Sequence, residues 1–263
     1  MFGYDVDTRY FPLIGISFLV FMSIYEKFAP YYSARWFSRY RSMTTKEKLQ
    51  WDNKIGSTIH SVTVSTLFIL CYLLEGEEFY KVKLWSESTI VKVNMCVVIG
   101  YMLADTSHMV GNSQYIGSTQ FVVHHIVSIF PFLFVLTYRI LNWHANFRMA
   151  AEISTFFINI RWFLDAPLQY SKTSNVYVAS GIALTISFIL TRIVNIPFYY
   201  YPVYSECSKY SCTPAMLFWM VAPCIVLDGL GLWWFRKVVV GFKKIIYEGW
   251  FKNVVLEKVM NGK

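Results

Sequence analysis

The sequence predicts an all-α membrane protein with about seven transmembrane helices, and three observations support this fold class. The chain of 263 residues is 56% hydrophobic and only 15% charged, with a mean hydropathy of +0.40, which is typical of proteins that cross a membrane several times. Seven apolar stretches are long enough to span the ~30 Å of bilayer hydrocarbon. The charges concentrate between and after these stretches, with an asymmetry of sign.

Seven stretches of about 20 mainly apolar residues have the length that a membrane-spanning helix requires. With their short connections they use nearly the whole chain, so the sequence predicts one membrane domain and no separate soluble module. The predicted spans are residues 11–29, 57–75, 91–110, 120–139, 145–166, 176–201 and 213–235.

Basic residues collect in the loop after the first span and in the tail after the seventh, whereas the loop after the second span is acidic. Because Lys and Arg accumulate in cytoplasmic segments, this asymmetry predicts a luminal amino terminus and a cytosolic carboxyl terminus, as an odd number of spans permits. The net charge of +8 is then explained by contact with anionic lipid, and no nucleic-acid partner is expected.

Ionisable side chains recur inside the predicted spans, where each is costly and is therefore a candidate functional residue. Two of them, Asp165 and Arg192, lie near span ends and are expected to reach toward the membrane interface. Arg161 precedes Asp165 by four residues, so the two can neutralise one another on one helix face. The remaining candidates are His60, Asp105, His108, His124, His125, Glu152 and Asp228.

His124 and His125 are adjacent in an otherwise apolar stretch. Adjacent helical residues project ~100° apart, so one side chain is expected to face a cavity and the other a neighbouring helix. Asp105 lies on the preceding span, and an antiparallel arrangement would bring it to a similar depth. The alternative is that both histidines are structural and form hydrogen bonds across helices.

A metal site is not expected, because adjacent histidines diverge and the HExxH spacing is absent. Of the five cysteines, Cys71, Cys96 and Cys224 fall inside spans and are expected to pack as small apolar residues. Cys207 and Cys212 lie in a segment predicted to be luminal, where disulfides persist. Their spacing permits a bridge and equally two unpaired thiols.

Prolines interrupt three of the predicted spans, at Pro131, Pro197 and Pro223. Each removes a backbone donor and is expected to kink its helix. Such breaks are tolerated where neighbouring groups or water satisfy the freed carbonyl. The three kinks therefore predict a bundle bowed around a cavity.

Several of these features together resemble the TLC-domain family, which includes the ceramide synthases. They are Asp105, the paired histidines, the segment KIGSTIHSV at residues 54–62 and the segment AEISTFFINIRWF at residues 151–163. The resemblance covers residues 45–240. It implies a TLC-type helical barrel of about seven transmembrane helices around a central cavity, in the endoplasmic reticulum.

The resemblance also divides the chain. Residues 1–44 would contain the luminal amino terminus, the first span and the start of a cytosolic loop, and residues 241–263 would form a basic cytosolic tail. The TLC domain would lie between them.

In the ceramide synthases, the family pattern joins an HH pair to an HDxxD segment on the next helix, and a histidine transfers an acyl group from acyl-CoA. His124 and His125 match the HH pair, whereas span five offers no aspartate pair. The resemblance thus implies His124 and His125 as catalytic candidates and acyl-CoA as the co-substrate of any transfer, while the missing aspartate pair argues against acylation of sphingoid bases. Asp105 joins the catalytic candidates because a carboxylate hydrogen-bonded to the second ring nitrogen would fix the histidine tautomer, a role open to Asp105 or Glu152. The residues expected to contact a bound lipid are Glu152, His108, Asn159, Arg161 and Asp228.

Three functions remain open at this point. The first is a lipid-handling role in lipid homeostasis, in which the cavity binds a membrane lipid or a fatty acyl chain. The missing aspartates favour it over the second, an acyltransferase that uses a histidine of the fourth span. The third is a cargo receptor or translocation accessory. A homo-oligomer is compatible with all three.

Overall fold

The structure is a computed structural model that describes residues 6–165, 167–210, 212–245 and 247. These residues form helices and connecting turns, without a strand. The predicted basic tail therefore lies largely outside the described residues. The helices are α1 (Phe11–Ser23), α2 (Ala29–Trp36), α3 (Ser38–Ser42), α4 (Thr45–Leu74), α5 (Glu77–Lys81), α6 (Thr89–Gly111), α7 (Thr119–Tyr138), α8 (Asn142–Met149), α9 (Glu152–Asp165), α10 (Asn175–Phe188), α11 (Asn195–Tyr210) and α12 (Pro214–Ile245).

Six helical segments of the described chain are long and apolar enough to cross a membrane, which confirms an all-α polytopic membrane protein. They are Phe11–Trp36, Thr45–Leu74, Thr89–Gly111, Thr119–Tyr138, Asn175–Tyr210 and Pro214–Lys244. Two of them are interrupted by π-helical turns, at Ile24–Phe28 and Ile189–Ile193.

The predicted fifth span, residues 145–166, differs from the other six. Two short helices, α8 and α9, occupy this part of the chain and meet at Ala150 and Ala151. The α8 sequence NWHANFRM has a polar residue at every second position, so it lacks the continuous apolar surface of a simple span.

Six helices close a ring. Around the ring, α4 packs on α9, α9 on α10, α10 on α12, α12 on α7, α7 on α6, and α6 again on α4. Helix α1 packs outside this ring against α6. The arrangement is the helical barrel that the resemblance implies, and its interior forms the central cavity.

Capping residues fix where two of the ring helices begin. Thr44 and Glu47 form a reciprocal capping box at the start of α4, which satisfies backbone donors that the first turn leaves unpaired. Ser88 accepts a hydrogen bond from the Val91 backbone at the start of α6. Both signals are readable in the sequence.

Two of the three predicted proline breaks fall inside helices as expected, Pro131 in α7 and Pro223 in α12. Pro197 lies instead in the first turn of α11, just after the π-helical turn at Ile189–Ile193. The first turn has no intrahelical acceptor for its backbone N–H groups, so a proline there costs little. The proline that interrupts the interior of α11 is Pro202.

Gly100 marks a close approach of α1 and α6. A Cβ atom at this position would lie 2.5 Å from the Ser17 Cβ and 2.7 Å from the Ile14 carbonyl oxygen. Ser17 also donates its hydroxyl to the Val97 carbonyl at 3.1 Å. Small residues at such crossings allow membrane helices to pack backbone to backbone.

Gly100→Ala should destabilise the protein by about 1–3 kcal/mol, because the Ile14 backbone oxygen cannot rotate away from the added methyl group. Gly229→Ala in α12 is the matched control, since nothing lies within 4 Å of its Cβ position. The control should be neutral or slightly stabilising. Thermal unfolding of the detergent-solubilised variants measures both, and equal melting temperatures would disprove the close packing of α1 on α6.

Candidate functional site

A cavity of about 750 Å³ occupies the interior of the ring. This volume lies within the range of small-molecule sites in proteins. All six ring helices contribute side chains to its wall, for example Ser57, Asp105, His124, Glu152, Thr185 and Trp234.

The two ends of the cavity differ in charge. At one end its wall includes Lys172, Lys237, Lys244 and Asp165, all exposed; we call these four residues the mouth. Buried or partly buried polar groups line the deeper part. A ligand entering at the mouth would meet cations first and a polar cluster further inside.

His125 is held by the neighbouring helix α6. Its Nδ1 shares a hydrogen bond of 3.0 Å with the Thr106 hydroxyl, and its Nε2 lies 3.7 Å from Asp105 Oδ2. The residue is 5% exposed. Both ring nitrogens therefore face α6, and the orientation of the imidazole is fixed.

Asp105 is the centre of a buried hydrogen-bond network. The Tyr25 hydroxyl donates to Oδ1 at 2.9 Å, and Asn53 Nδ2 donates to the same oxygen at 2.5 Å. Together with His125, these contacts connect the helices α4, α6 and α7 and the turn after α1. Tyr25 and Asn53 were not among the sequence-derived candidates, because hydropathy does not identify neutral polar partners.

His124 has a different environment from its neighbour. It lines the cavity, and its ring lies edge-on to Trp234 of α12, with centroids 5.6 Å apart. Its Nδ1 is buried without a hydrogen-bond partner. The divergence expected of adjacent histidines is thus present, with His125 turned to α6 and His124 toward α12, and both border the cavity.

Glu152, at the start of α9, borders the same cavity. Its Oε2 lies 3.7 Å from Nε2 of His60, which is beyond hydrogen-bond distance. The His60 ring stacks on Tyr101 at 3.7 Å between centroids, and neither of its nitrogens has a hydrogen-bond partner. The carboxylate therefore faces the cavity without a direct hydrogen bond from His60.

A smaller cavity of about 60 Å³ extends the site, and it shares Met102, His124, Glu152 and Arg192 with the larger one. Asp228, a sequence-derived candidate, borders only this deeper cavity. It accepts hydrogen bonds from Arg148 Nη2 at 2.6 Å and from the Tyr200 hydroxyl at 2.9 Å. Arg148 was missed, although an arginine inside a predicted span is itself a signal.

Arg192 does not extend to the membrane interface as expected. It projects into the barrel and borders both cavities, where it donates to Ser154, Thr155 and the Ala151 carbonyl. The prediction for Arg192 was wrong because the helical segment runs from Asn175 to Tyr210, which places Arg192 near its middle rather than near an end.

Arg161 and Asp165 both contact Tyr177 and do not pair directly with each other. The Arg161 guanidinium lies 3.3 Å from the Tyr177 ring centroid and donates to the Tyr177 carbonyl. The Tyr177 hydroxyl donates to Asp165 at 3.0 Å. Both residues border the cavity, so they belong to its wall, with Asp165 at the mouth.

Of two further candidates predicted from the sequence, one borders the cavity and the other does not. Asn159 borders the cavity and donates to the Ser57 hydroxyl at 2.9 Å. His108 is buried outside the cavity lining, where it stacks on Tyr25 with centroids 4.6 Å apart. Asn159 therefore belongs to the cavity wall. His108 does not, and it packs instead against Tyr25 in the π-helical turn after α1.

Cys207 and Cys212 are joined by a disulfide in the structure, with their Cα atoms 4.8 Å apart. Cys71, Cys96 and Cys224 are free and buried. Within the described part of the chain, no group of three or more His, Cys, Asp or Glu residues is arranged to hold a metal ion.

Comparison with known proteins gives a consistent picture. A family model described as the TLC domain matches residues 50–240. The zebrafish (Danio rerio) TLC domain-containing protein 4-B is 30% identical over 245 residues, covering 92% of each chain. Human TLC domain-containing protein 4 is 32% identical over 238 residues, covering 88% of each chain. No solved structure matches.

Proposed function

The chain belongs to the TLC-domain family, and on this premise we propose that it is a lipid-handling membrane protein whose central cavity binds a lipid or a fatty acyl chain. Its biological role would then be in membrane lipid homeostasis. The observation that carries the proposal is the cavity itself, an interior space of about 750 Å³ bordered by all six ring helices.

The cavity wall has the mixed chemistry that an amphiphile requires. Apolar side chains from α9, α10 and α12 include Ile158, Leu184, Phe188 and Val238. Relative to water, each methylene of an acyl chain buried against such a wall contributes ~0.8 kcal/mol, whereas a chain that enters from the bilayer gains mainly packing contacts. The polar cluster around His124 and Glu152 supplies a few groups that would orient the polar end of the ligand.

Filling the cavity tests the proposal. Leu184→Trp would put an indole into the space proposed for the chain, while Ile186→Trp adds the same group on the exposed face of α10. Mass spectrometry of co-purified lipids should show a lipid retained by wild type and by Ile186→Trp, and depleted in Leu184→Trp. Equal lipid content in all three proteins would contradict binding in the cavity.

Acyl transfer is the second candidate, and the position of the His124 imidazole on the cavity wall favours it. An imidazole nitrogen can attack the carbonyl of an acyl thioester, releasing the thiolate and forming an acyl-imidazole that an alcohol or amine then opens. Acyl-CoA would be the thioester, and the cationic mouth could receive its phosphates. Because the HDxxD segment is absent, the acceptor would not be a sphingoid base.

We further propose that the protein resides in the endoplasmic reticulum with its amino terminus luminal and its carboxyl terminus cytosolic. This orientation requires an odd number of crossings, so α8 and α9 together would make a seventh crossing beside the six long spans. The mouth is formed by the end of α9, the segment before α10 and the end of α12. The basic residues that indicate the cytosolic side flank the same end of the barrel, for example Lys46 and Lys243.

Epitope tags on both termini check this orientation. After selective permeabilisation of the plasma membrane, an antibody should reach the carboxyl-terminal tag but not the amino-terminal tag, because the positive segments remain on the cytosolic side. A protected carboxyl terminus, or an accessible amino terminus, would reverse the proposed orientation.

A further inference from the structure

Three arginines border the two cavities, and they differ in how their charge is compensated. Arg148 is paired with Asp228. Arg161 lies against Tyr177 near the mouth, in the same part of the wall as Asp165. Arg192 donates only to neutral acceptors, and no carboxylate of the described chain lies within 4.0 Å of its guanidinium. The Glu152 carboxylate borders the same two cavities and acts on the Arg192 charge through space, without a direct ion pair.

Some of the N–H donors of the Arg192 guanidinium have no hydrogen-bond acceptor among the described residues. Nε donates to Ser154 at 2.8 Å, and Nη2 donates to the Ala151 carbonyl at 3.1 Å and to Thr155 at 3.2 Å. None of the hydrogen bonds of the described residues engages Nη1. Arg192 borders both cavities, so its free donors are positioned to meet a bound molecule.

The backbone conformation around Arg192 also favours a binding role. The residue lies in the π-helical turn Ile189–Ile193, and such turns occur frequently at functional sites because they redirect a side chain. A charge at this depth in a membrane protein is costly unless it is paired, and it is retained mainly where it binds something. The hydroxyl groups of Ser154 and Thr155 accept hydrogen bonds from the guanidinium and hold it in place. Binding groups in proteins are commonly oriented by such neighbouring hydrogen bonds.

We propose that Arg192 is the recognition site for an oxyanion, a carboxylate or a phosphate, at the head of the amphiphile that occupies the central cavity. This inference rests on the proposed function and names its ligand class as an anionic, single-headed lipid. The guanidinium donates to an oxyanion through geometrically matched N–H groups. A neutral ester or alcohol in the same place would leave the Arg192 guanidinium without a directly hydrogen-bonded anionic acceptor.

The cavity has room for the chain of such a lipid beside this head-group site. Gly231 of α12 borders the deep cavity with Arg192, and Phe242 of the same helix borders the mouth end. Eleven residues of helix separate them, or about 16 Å at 1.5 Å per residue. Leu184, Phe188 and Val238 line this path.

Competition binding tests the head-group assignment. Purified protein in nanodiscs would be loaded with tritiated palmitate and competed with unlabelled palmitate, hexadecyl phosphate, hexadecanol and methyl palmitate. The four competitors share a chain length and differ in the head. In wild type, at least one of the two anions should compete about tenfold or more better than the neutral lipids, as expected for a hydrogen bond to a charged group.

Three variants test whether Arg192 is the cause of the preference for anionic lipids. Arg192→Gln should lose the preference for anions, Arg192→Lys should keep part of it, and Lys46→Gln, an exposed cation outside the cavity, should keep all of it. A preference for palmitate alone would identify a fatty acid, and for hexadecyl phosphate alone a phosphate monoester. Equal competition by all four lipids, or a preference that survives in Arg192→Gln, would overturn the inference while leaving lipid binding intact. Absence of binding by any lipid would refute the proposed function as well.

Discussion

Asp228→Ala should lower the free energy of unfolding by about 3–5 kcal/mol, the largest stability effect that we expect from a single polar substitution. The Asp228 carboxylate accepts hydrogen bonds from Arg148 and Tyr200, and the side chains of Arg148 and Asp228 are only 17% and 12% exposed. Removing one partner of a buried pair leaves the other charge uncompensated. Chemical or thermal unfolding of the protein in detergent measures this loss.

A double substitution distinguishes an uncompensated charge from a lost contact. Arg148→Met combined with Asp228→Leu removes both charges and keeps similar volumes, so it should recover most of the stability lost in Asp228→Ala. If the double variant is as unstable as Asp228→Ala, the ion pair stabilises the folded protein more than an apolar pair of similar volume does. If Asp228→Ala is as stable as wild type, the carboxylate is solvated and does not form a buried pair with Arg148.

His124→Ala should abolish any lipid turnover while the melting temperature stays close to that of wild type. His124 borders the cavity and its Nδ1 has no protein partner, so its removal leaves no protein group newly unpaired. If the residue acts in acyl transfer, the loss of turnover should be about 10²–10⁴-fold, the usual contribution of a positioned acid or base.

His125→Ala should have the opposite profile. The substitution removes the hydrogen bond to Thr106 and the neighbour of Asp105, which should cost about 1–3 kcal/mol for buried groups left unpaired. Thr106→Val removes the same hydrogen bond from the other side and should reproduce part of this destabilisation. If both histidine variants keep the wild-type lipid profile and melting temperature, the pair is a tolerated polar contact and the site lies elsewhere.

The all-α membrane fold was largely predictable because hydropathy determines it directly. Long apolar runs such as residues 120–139 have few alternatives to a membrane-spanning helix. The break between α8 and α9 was not predictable from a hydropathy average, because the apolar residues of 153–164 mask the alternating polar residues of α8. The closed ring follows from helix packing, which a single sequence does not specify.

The candidate site was predictable in part, for a definable reason. Charged residues such as Asp105 and Glu152 are conspicuous at membrane depth, and both border the cavity. Tyr25 and Asn53, the neutral hydrogen-bond partners of Asp105, have no distinctive hydropathy and become visible only through their contacts in the structure. Arg192 was assigned to the wrong environment because hydropathy does not show that the helical segment continues to Tyr210, which places Arg192 near its middle.

The central claim, that the barrel interior holds an acyl chain, is tested most directly by locating the chain itself. A fatty acid with a diazirine near the end of its chain can be photo-crosslinked to the protein in membranes and the adducts mapped by mass spectrometry. We predict adducts on cavity residues such as Leu184, Phe188 and Val238, reduced by excess unlabelled fatty acid. Adducts confined to exposed apolar residues such as Leu19 and Leu73, and insensitive to competitor, would contradict the account.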